Sequence, residues 1–123
     1  MTTDATEKDR IASELAMHIG SLERIRHYTR RLVYTPGVEH LASTARSYWL
    51  IDLIASLCCN PNLAGEEFQV WKLSVHENHS ATLVVTDGND RELLRRGIHR
   101  TDFPLNEISL YLTDDTLLLP SEY

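Results

Sequence analysis

The spacing of apolar residues along the chain changes once, near Asn60-Pro61-Asn62. Before that point apolar positions recur every three to four residues, as on a helix with one buried face. Residues 5–19 predict a first helix, with Ile11, Leu15 and Ile19 at four-residue steps and Ala12 and Ala16 beside them. Asp4 or Thr6 can cap it, and Thr6-Glu7-Lys8-Asp9 fits a capping box. Gly20-Ser21 reads as a stop, with room for a restart, and residues 22–33 fit no single period.

A second helix is expected over residues 36–57. Thr35 stands at its cap and Pro36 at its first position, where the missing N–H costs nothing. At about 100° per residue, Val38, Leu41, Ala42, Ala45, Trp49, Leu53 and Ser56 share one face of a continuous rod. Tyr48, Leu50, Ile51 and Ile54 cover the rest of its circumference. Such an element must be buried on more than one side, either central to the core or half core and half partner interface.

Beyond Asn62 the period is two. Gln69, Trp71, Leu73 and Val75 alternate with Phe68, Val70, Lys72 and Ser74, giving a strand with one apolar face. Residues 81–86 are a β-branched run, Asp87-Gly88-Asn89-Asp90 is a hairpin turn, and residues 93–101 return as a more polar strand. Its Arg95, Arg96 and Arg100 suit a sheet edge. Ile108, Leu110 and Leu112 mark another strand, Thr113-Asp114-Asp115-Thr116 a turn, and residues 117–119 a last short strand. Helices first and strands afterwards predict an α+β fold, two N-terminal helices packed on one face of an antiparallel sheet of four to five strands. No repeat or linker interrupts the 123 residues, so one domain over 1–123 is expected.

Composition adds little to that picture until charge is considered. Hydrophobic residues at 42% and charged residues at 24% are ordinary for a globular chain and favour neither a disordered nor a fibrous one. The net charge of −6 disfavours a protein that coats nucleic acid indiscriminately. No apolar run approaches the roughly 18 residues that span a bilayer, and Met1-Thr2-Thr3-Asp4 does not open like a signal peptide. A soluble, cytoplasmic protein is the expectation. Cys58 and Cys59 are adjacent, which precludes ordinary disulfide geometry, and they lack C-x-x-C spacing. They read as two small apolar residues closing a helix.

Residues 1–31 carry six bases and five acids, whereas residues 32–123 carry six bases and thirteen acids. Asp102, Glu107, Asp114, Asp115 and Glu122 occupy a tail with no base after Arg100. The basic cluster is Arg24, Arg26, Arg30 and Arg31, interleaved with His27, Tyr28 and Tyr34. Guanidinium and aromatic groups together can grip phosphates and stack bases; alternatively, these arginines pair with the acidic tail or with Asp52. Asp52 is the only charged residue between Arg46 and Glu66 and falls on the stripe expected to face the sheet. A buried carboxylate requires a partner, and Arg26, His27, Arg100, the Trp71 indole and Tyr28 are the candidates. It is either a structural pair or a general acid or base.

His76-Glu77-Asn78-His79 has its histidines three apart rather than the four of a zinc-peptidase helix, and His18, His40 and His99 have no metal spacing. No metal site and no cofactor is predicted. The chain has no G-x-S-x-G elbow, Walker loop or G-x-G-x-x-G.

Two sets of blocks carry a resemblance. One is Tyr34-Thr35-Pro36-Gly37-Val38 with Leu41-Ala42, Ala45, Tyr48-Trp49-Leu50 and Asp52-Leu53-Ile54-Ala55-Ser56. The other is Phe68-Gln69-Val70-Trp71-Lys72-Leu73, Thr101-Asp102-Phe103-Pro104-Leu105 and Leu117-Leu118-Leu119-Pro120-Ser121-Glu122-Tyr123. Over residues 20–123 the chain resembles a family of short bacterial proteins known as a domain of unknown function, with Pro36 where an acidic residue is usual. The resemblance implies a bacterial accessory protein of the kind carried on plasmids or phages, and it supplies no mechanism. It adds Asp52, Trp49, Asp102 and Glu122 as residues to watch, so the expected buried polar centre is Asp52, Trp49, Arg26 and His27.

The functional expectation is a small non-enzymatic accessory or inhibitor protein, of the anti-defence type, that binds another protein through its acidic surface. The alternatives are a nucleic-acid-binding protein using Arg24, Arg26, Tyr28, Arg30 and Arg31, and a small acid–base enzyme centred on Asp52. A homodimer through the second helix or the strand at 93–101 is also open.

Overall fold

The computed structural model describes residues 10, 11 and 23–123. Within the stretch that fits no period, β1 (Ile25–Arg26) and β2 (Val33–Tyr34) form a short antiparallel hairpin. Each is two residues long, too short for alternation to register. The chain then forms α1 (Pro36–Thr44) and α2 (Tyr48–Leu57). Five strands follow: β3 (Phe68–Val75), β4 (Ala81–Thr86), β5 (Glu92–Ile98), β6 (Glu107–Thr113) and β7 (Thr116–Leu118). All lie in one sheet of order β1-β2-β7-β6-β3-β4-β5.

The expected fold class is therefore corrected. In place of two N-terminal helices on an antiparallel sheet of four to five strands, the described residues form a seven-stranded mixed sheet with two short helices. The sheet is mixed because β2 runs parallel to β7, pairing Val33 with Thr116 and Tyr34 with Leu117. The predicted helix over residues 5–19 lies outside the described residues, apart from the helical Arg10 and Ile11, of which Ile11 is fully buried. The period-two strands do match their apolar patterns: Trp71, Leu73, Leu83, Val85, Leu110, Leu112 and Leu117 point to one side and are buried there. Sealing a side chain of this size contributes about 1.5–3 kcal/mol. Inside this layer the Trp71 indole N–H donates to Gln69 Oε1 at 2.9 Å, and the Gln69 amide donates to the Leu63 carbonyl at 3.2 Å.

The single rod expected over residues 36–57 is also corrected. The Ser47 N–H donates to the Ala42 carbonyl at 2.9 Å, and Arg46 has φ 54°. This is a Schellman ending with arginine in the left-handed position that glycine usually fills. Each helix consequently has its own apolar face. In α1 it is Val38, Leu41 and Ala42; in α2 it is Leu50, Ile51, Ile54 and Ala55. Both faces meet the sheet in one core. Asp52 is off the α2 stripe and 48% exposed, so its expected burial does not hold.

Glu122 ties the end of the chain to the start of α1. It lies in a 3-10 turn, Pro120–Glu122, and its carboxylate accepts three hydrogen bonds. These come from the Thr35 hydroxyl at 2.5 Å, the Leu119 N–H at 2.9 Å and the Gly37 N–H at 3.3 Å. Thr35 Oγ1 in turn accepts from the Val38 N–H at 3.3 Å. The open amides of the helix start and an acid from the far end of the chain thus satisfy one another. On the far side of the sheet the next residue, Tyr123, packs against Phe68 and Tyr111 at ring-centroid distances of 5.3 and 5.5 Å.

A Cβ on Gly37 would lie 2.7 Å from the Glu122 Cδ and Oε1 atoms. Glu122→Ala is expected to destabilise the protein by about 2 kcal/mol in urea unfolding. Gly37→Ala, which in an open helix stabilises by up to about 1 kcal/mol, destabilises here and regains its usual sign in the Glu122→Ala background. Independent, additive effects in that cycle would contradict the clamp.

Candidate functional site

The β1–β2 hairpin and the turn between β6 and β7 come together at one end of the sheet. The Val33 N–H donates to the Asp115 carbonyl at 2.9 Å, and the Thr35 N–H to the Leu117 carbonyl at 3.1 Å. The hairpin itself is closed by His27. Its N–H donates to the Leu32 carbonyl at 3.1 Å, and its carbonyl accepts from the Arg30 N–H at 2.9 Å. Arg30 sits at φ 64°, the left-handed conformation that the tight turn imposes.

His27 is 4% exposed and both ring nitrogens are engaged. The Thr29 N–H donates to Nδ1 at 3.2 Å, and the Thr29 hydroxyl lies 2.8 Å from the same atom. The tautomer that satisfies both puts the proton on Nε2, which donates to Asp52 Oδ1 at 2.7 Å. The pair foreseen for Asp52 is therefore present with burial reversed: the imidazole is sealed and the carboxylate is half in water. This geometry braces the hairpin against α2. With its ring nitrogens occupied from within the chain, the imidazole offers a reacting group only through the Thr29 hydroxyl or the open side of Asp52.

The other two members of the expected polar centre lie elsewhere. Arg26 is exposed on β1 opposite Val33, and Trp49 lines a separate cleft with Arg46, Arg100 and Asp102. Two of the remaining candidate partners of Asp52 are also accounted for, Arg100 in that cleft and the Trp71 indole on Gln69. Tyr28 is 77% exposed, its ring against His27 with centroids 4.3 Å apart and the planes tilted by 33°. Arg24 and Arg30 are exposed, as is Arg31, whose Nη1 donates to the Ala55 carbonyl at 3.3 Å.

The five tail acids do not form one surface. Asp102 belongs to the Trp49 cleft, Glu107 pairs with Lys72 at 3.3 Å, and Glu122 is the clamp. Only Asp114 and Asp115 share a site, in the β6–β7 turn at φ 50° and 55°. There they meet two acids that the tail reading omitted. Glu66 and Glu67, from the loop after α2, line the same cleft of about 510 Å³, with Arg31, Cys58, Cys59 and Gln69. Glu66 is held by Arg91 at 3.2 Å. The loop's path is set by Leu63, fully buried, whose carbonyl and that of Glu66 accept from the Gln69 amide at 3.2 and 3.4 Å.

Cys58 Sγ donates to the Ala55 carbonyl at 3.3 Å, and burial, reinforced by Cys59 beside it, pushes its pKa up to about 11. Cys59 is exposed. Among the described residues no group of three or more His, Cys, Asp and Glu could hold a metal ion, and no helix is long and apolar enough to cross a membrane.

In a Cys59→Ser variant, burial should still keep Cys58 slow to alkylate with iodoacetamide at pH 8, with the rate rising steeply at higher pH. In the Cys58→Ser variant, Cys59 should react far faster at pH 8. Equal rates for the two thiols would contradict the burial of Cys58.

No curated protein and no solved structure matches the chain. One family model does match, over residues 9–123, and it is described as a family of unknown function (DUF6876). The chain belongs to that family.

Proposed function

We propose that this protein is a non-enzymatic accessory protein that binds another protein, and that the acidic cleft between the α2–β3 loop and the β6–β7 turn receives the partner's basic side chains. The observation that carries this reading is the convergence of Glu66 and Glu67 with Asp114 and Asp115, distant in sequence, on one cleft in which Arg31 is the only lysine or arginine among the described residues. Three of these carboxylates make no ion pair with a described residue, so their field is directed at solvent. Complementary charge of this kind speeds encounter more than it tightens the complex. In this reading the protein works in a bacterial cytoplasm as a mobile-element accessory of the anti-defence kind. Its target is a nucleic-acid-handling enzyme, since the groove that attracts phosphates would also attract this cleft. The sign of the cleft is what supports that role.

A second reading rests on Tyr28, a large aromatic left 77% exposed on a hairpin that also displays Arg26 and Arg30. That arrangement suits stacking on a base while the guanidiniums meet phosphates. Arg26→Ala with Arg30→Ala would then weaken retention of a labelled oligonucleotide and flatten its salt dependence. No mobility shift by the wild type at low salt would end this reading.

The acidic-cleft reading predicts that an arginine-rich peptide binds the wild type in a salt-sensitive way. Substituting Glu67→Gln, Asp114→Asn and Asp115→Asn together should weaken binding about tenfold, mostly through the association rate. Asparagine tolerates the left-handed backbone at 114 and 115, so the fold should survive the exchange. Affinity unchanged by the triple substitution, or by raised salt, would refute the proposal. Light scattering on the same samples reads any homodimer.

A further inference from the structure

A second cleft, of about 680 Å³, opens between the break that separates α1 from α2 and the loop that follows β5. Its volume is in the range of small-molecule sites, about 300–1,000 Å³. Arg46, Trp49, Arg100 and Asp102 line it, with Thr44 and Thr101. We propose that this cleft binds a nucleoside phosphate, an inference that goes beyond the acidic-cleft reading and uses none of its residues.

The chemistry of the lining selects that class. Arg46 and Arg100 are exposed, and neither makes an ion pair with a described residue, so both forks remain open to an anion. Two guanidiniums on one cleft match the oxygens of a phosphate, which each can contact bidentately. Trp49 is half-buried, packed against the core with part of its indole facing the cleft. An immobile aromatic surface beside two cations suits a base, which gains both stacking and cation–π contact. Asp102 supplies acceptors for a ribose hydroxyl or an exocyclic amine. Inorganic phosphate would leave the indole unused, and an uncharged aromatic would leave the guanidiniums unused.

The site is held in shape by contacts that do not involve a ligand. The Thr101 N–H donates to the His79 carbonyl at 2.8 Å, and Thr101 Oγ1 accepts from the Phe103 N–H at 3.1 Å. Phe103 and Leu105 are buried, at 6% and 7% exposure, and pin the loop on the far side of Asp102. Opposite, the left-handed backbone at Arg46 is fixed by the Ser47–Ala42 hydrogen bond, with Ser47 buried. A non-glycine residue is strained in that conformation. Here it sets a charged side chain at the mouth of the cleft. A backbone fixed in advance leaves only the side chains to be ordered when the ligand arrives.

The protein carries its own reporter. Of its two tryptophans, Trp71 is 1% exposed and Trp49 borders the cleft, so a ligand that stacks there quenches Trp49 selectively. The probes are AMP, adenosine, inorganic phosphate and a 5′-phosphorylated tetra-deoxyadenylate. AMP is expected to quench saturably below about 1 mM, with adenosine and phosphate each at least about tenfold weaker. Arg100→Gln, an exposed change, should weaken AMP about tenfold, as should Arg46→Asn, which tolerates the left-handed backbone. A tetranucleotide that binds more than tenfold tighter than AMP identifies a strand end as the source of the ligand; equal affinity identifies the free nucleotide. No saturable quenching by AMP or by the tetranucleotide, or quenching unchanged in both arginine variants, would overturn the proposal. Because the acidic triple substitution leaves this cleft intact, failure here is distinguishable from failure of the acidic-cleft reading.

Discussion

A single carboxylate, that of Glu122, joins two parts of the chain that the sequence separates by more than eighty residues. It satisfies Thr35 and Gly37 at the start of α1 and Leu119 just past β7. The consequence is topological as well as energetic. The short hairpin β1–β2 is attached to the rest of the sheet only through the parallel pairing of β2 with β7, and that pairing covers two residue pairs. So short a ladder holds its register only if the segments on either side are fixed. Glu122 fixes them at one end, and the Asp115 and Leu117 carbonyls, receiving the Val33 and Thr35 amides, fix them along the strands.

Everything displayed at that end of the molecule rides on this junction. The hairpin presents Tyr28 and the arginines, with His27 locked beneath them by Thr29 and by Asp52. The β6–β7 turn presents Asp114 and Asp115 toward Glu66 and Glu67. Basic and acidic groups are therefore neighbours, with Arg31 reaching from the hairpin into the acidic cleft. The Trp49 cleft is built differently. It depends on the break between the helices and on the Thr101 turn, and neither feature involves the clamp.

The strands were largely legible in the sequence because one face of the sheet is buried and the alternation of Gln69, Trp71 and Leu73 with Val70 and Lys72 is enforced by that burial. The Asp87-Gly88-Asn89-Asp90 turn was legible too: Gly88 takes φ 88°, and a Cβ there would come within 3.1 Å of the Phe68 ring. The helix break was not, because the left-handed position is occupied by Arg46 rather than glycine, and nothing at 45–47 signals a stop. A continuous rod would bury Asp52; with the break, the carboxylate faces water. Read by itself, α2 shows the stripe Leu50, Ile51, Ile54 and Ala55 with Asp52 outside it, which is the signal that places the carboxylate correctly. The tail acids are close in sequence, whereas the sheet order distributes them over a clamp, an ion pair and two clefts. Only long-range pairing brings Glu66 and Glu67 to Asp114 and Asp115, and no local pattern encodes it.

Amide hydrogen exchange on the Glu122→Ala variant tests the central claim most directly, since it removes the side-chain carboxylate, leaves Tyr123 in place and reads the junction residue by residue. If Glu122 holds the β2–β7 register, the Val33 and Thr35 amides should exchange at least about tenfold faster than in the wild type, while the Trp71 and Leu73 amides, in the middle of the sheet, keep their protection. Unaltered protection at Val33 and Thr35 would show that the junction stands without its carboxylate, and would contradict the account.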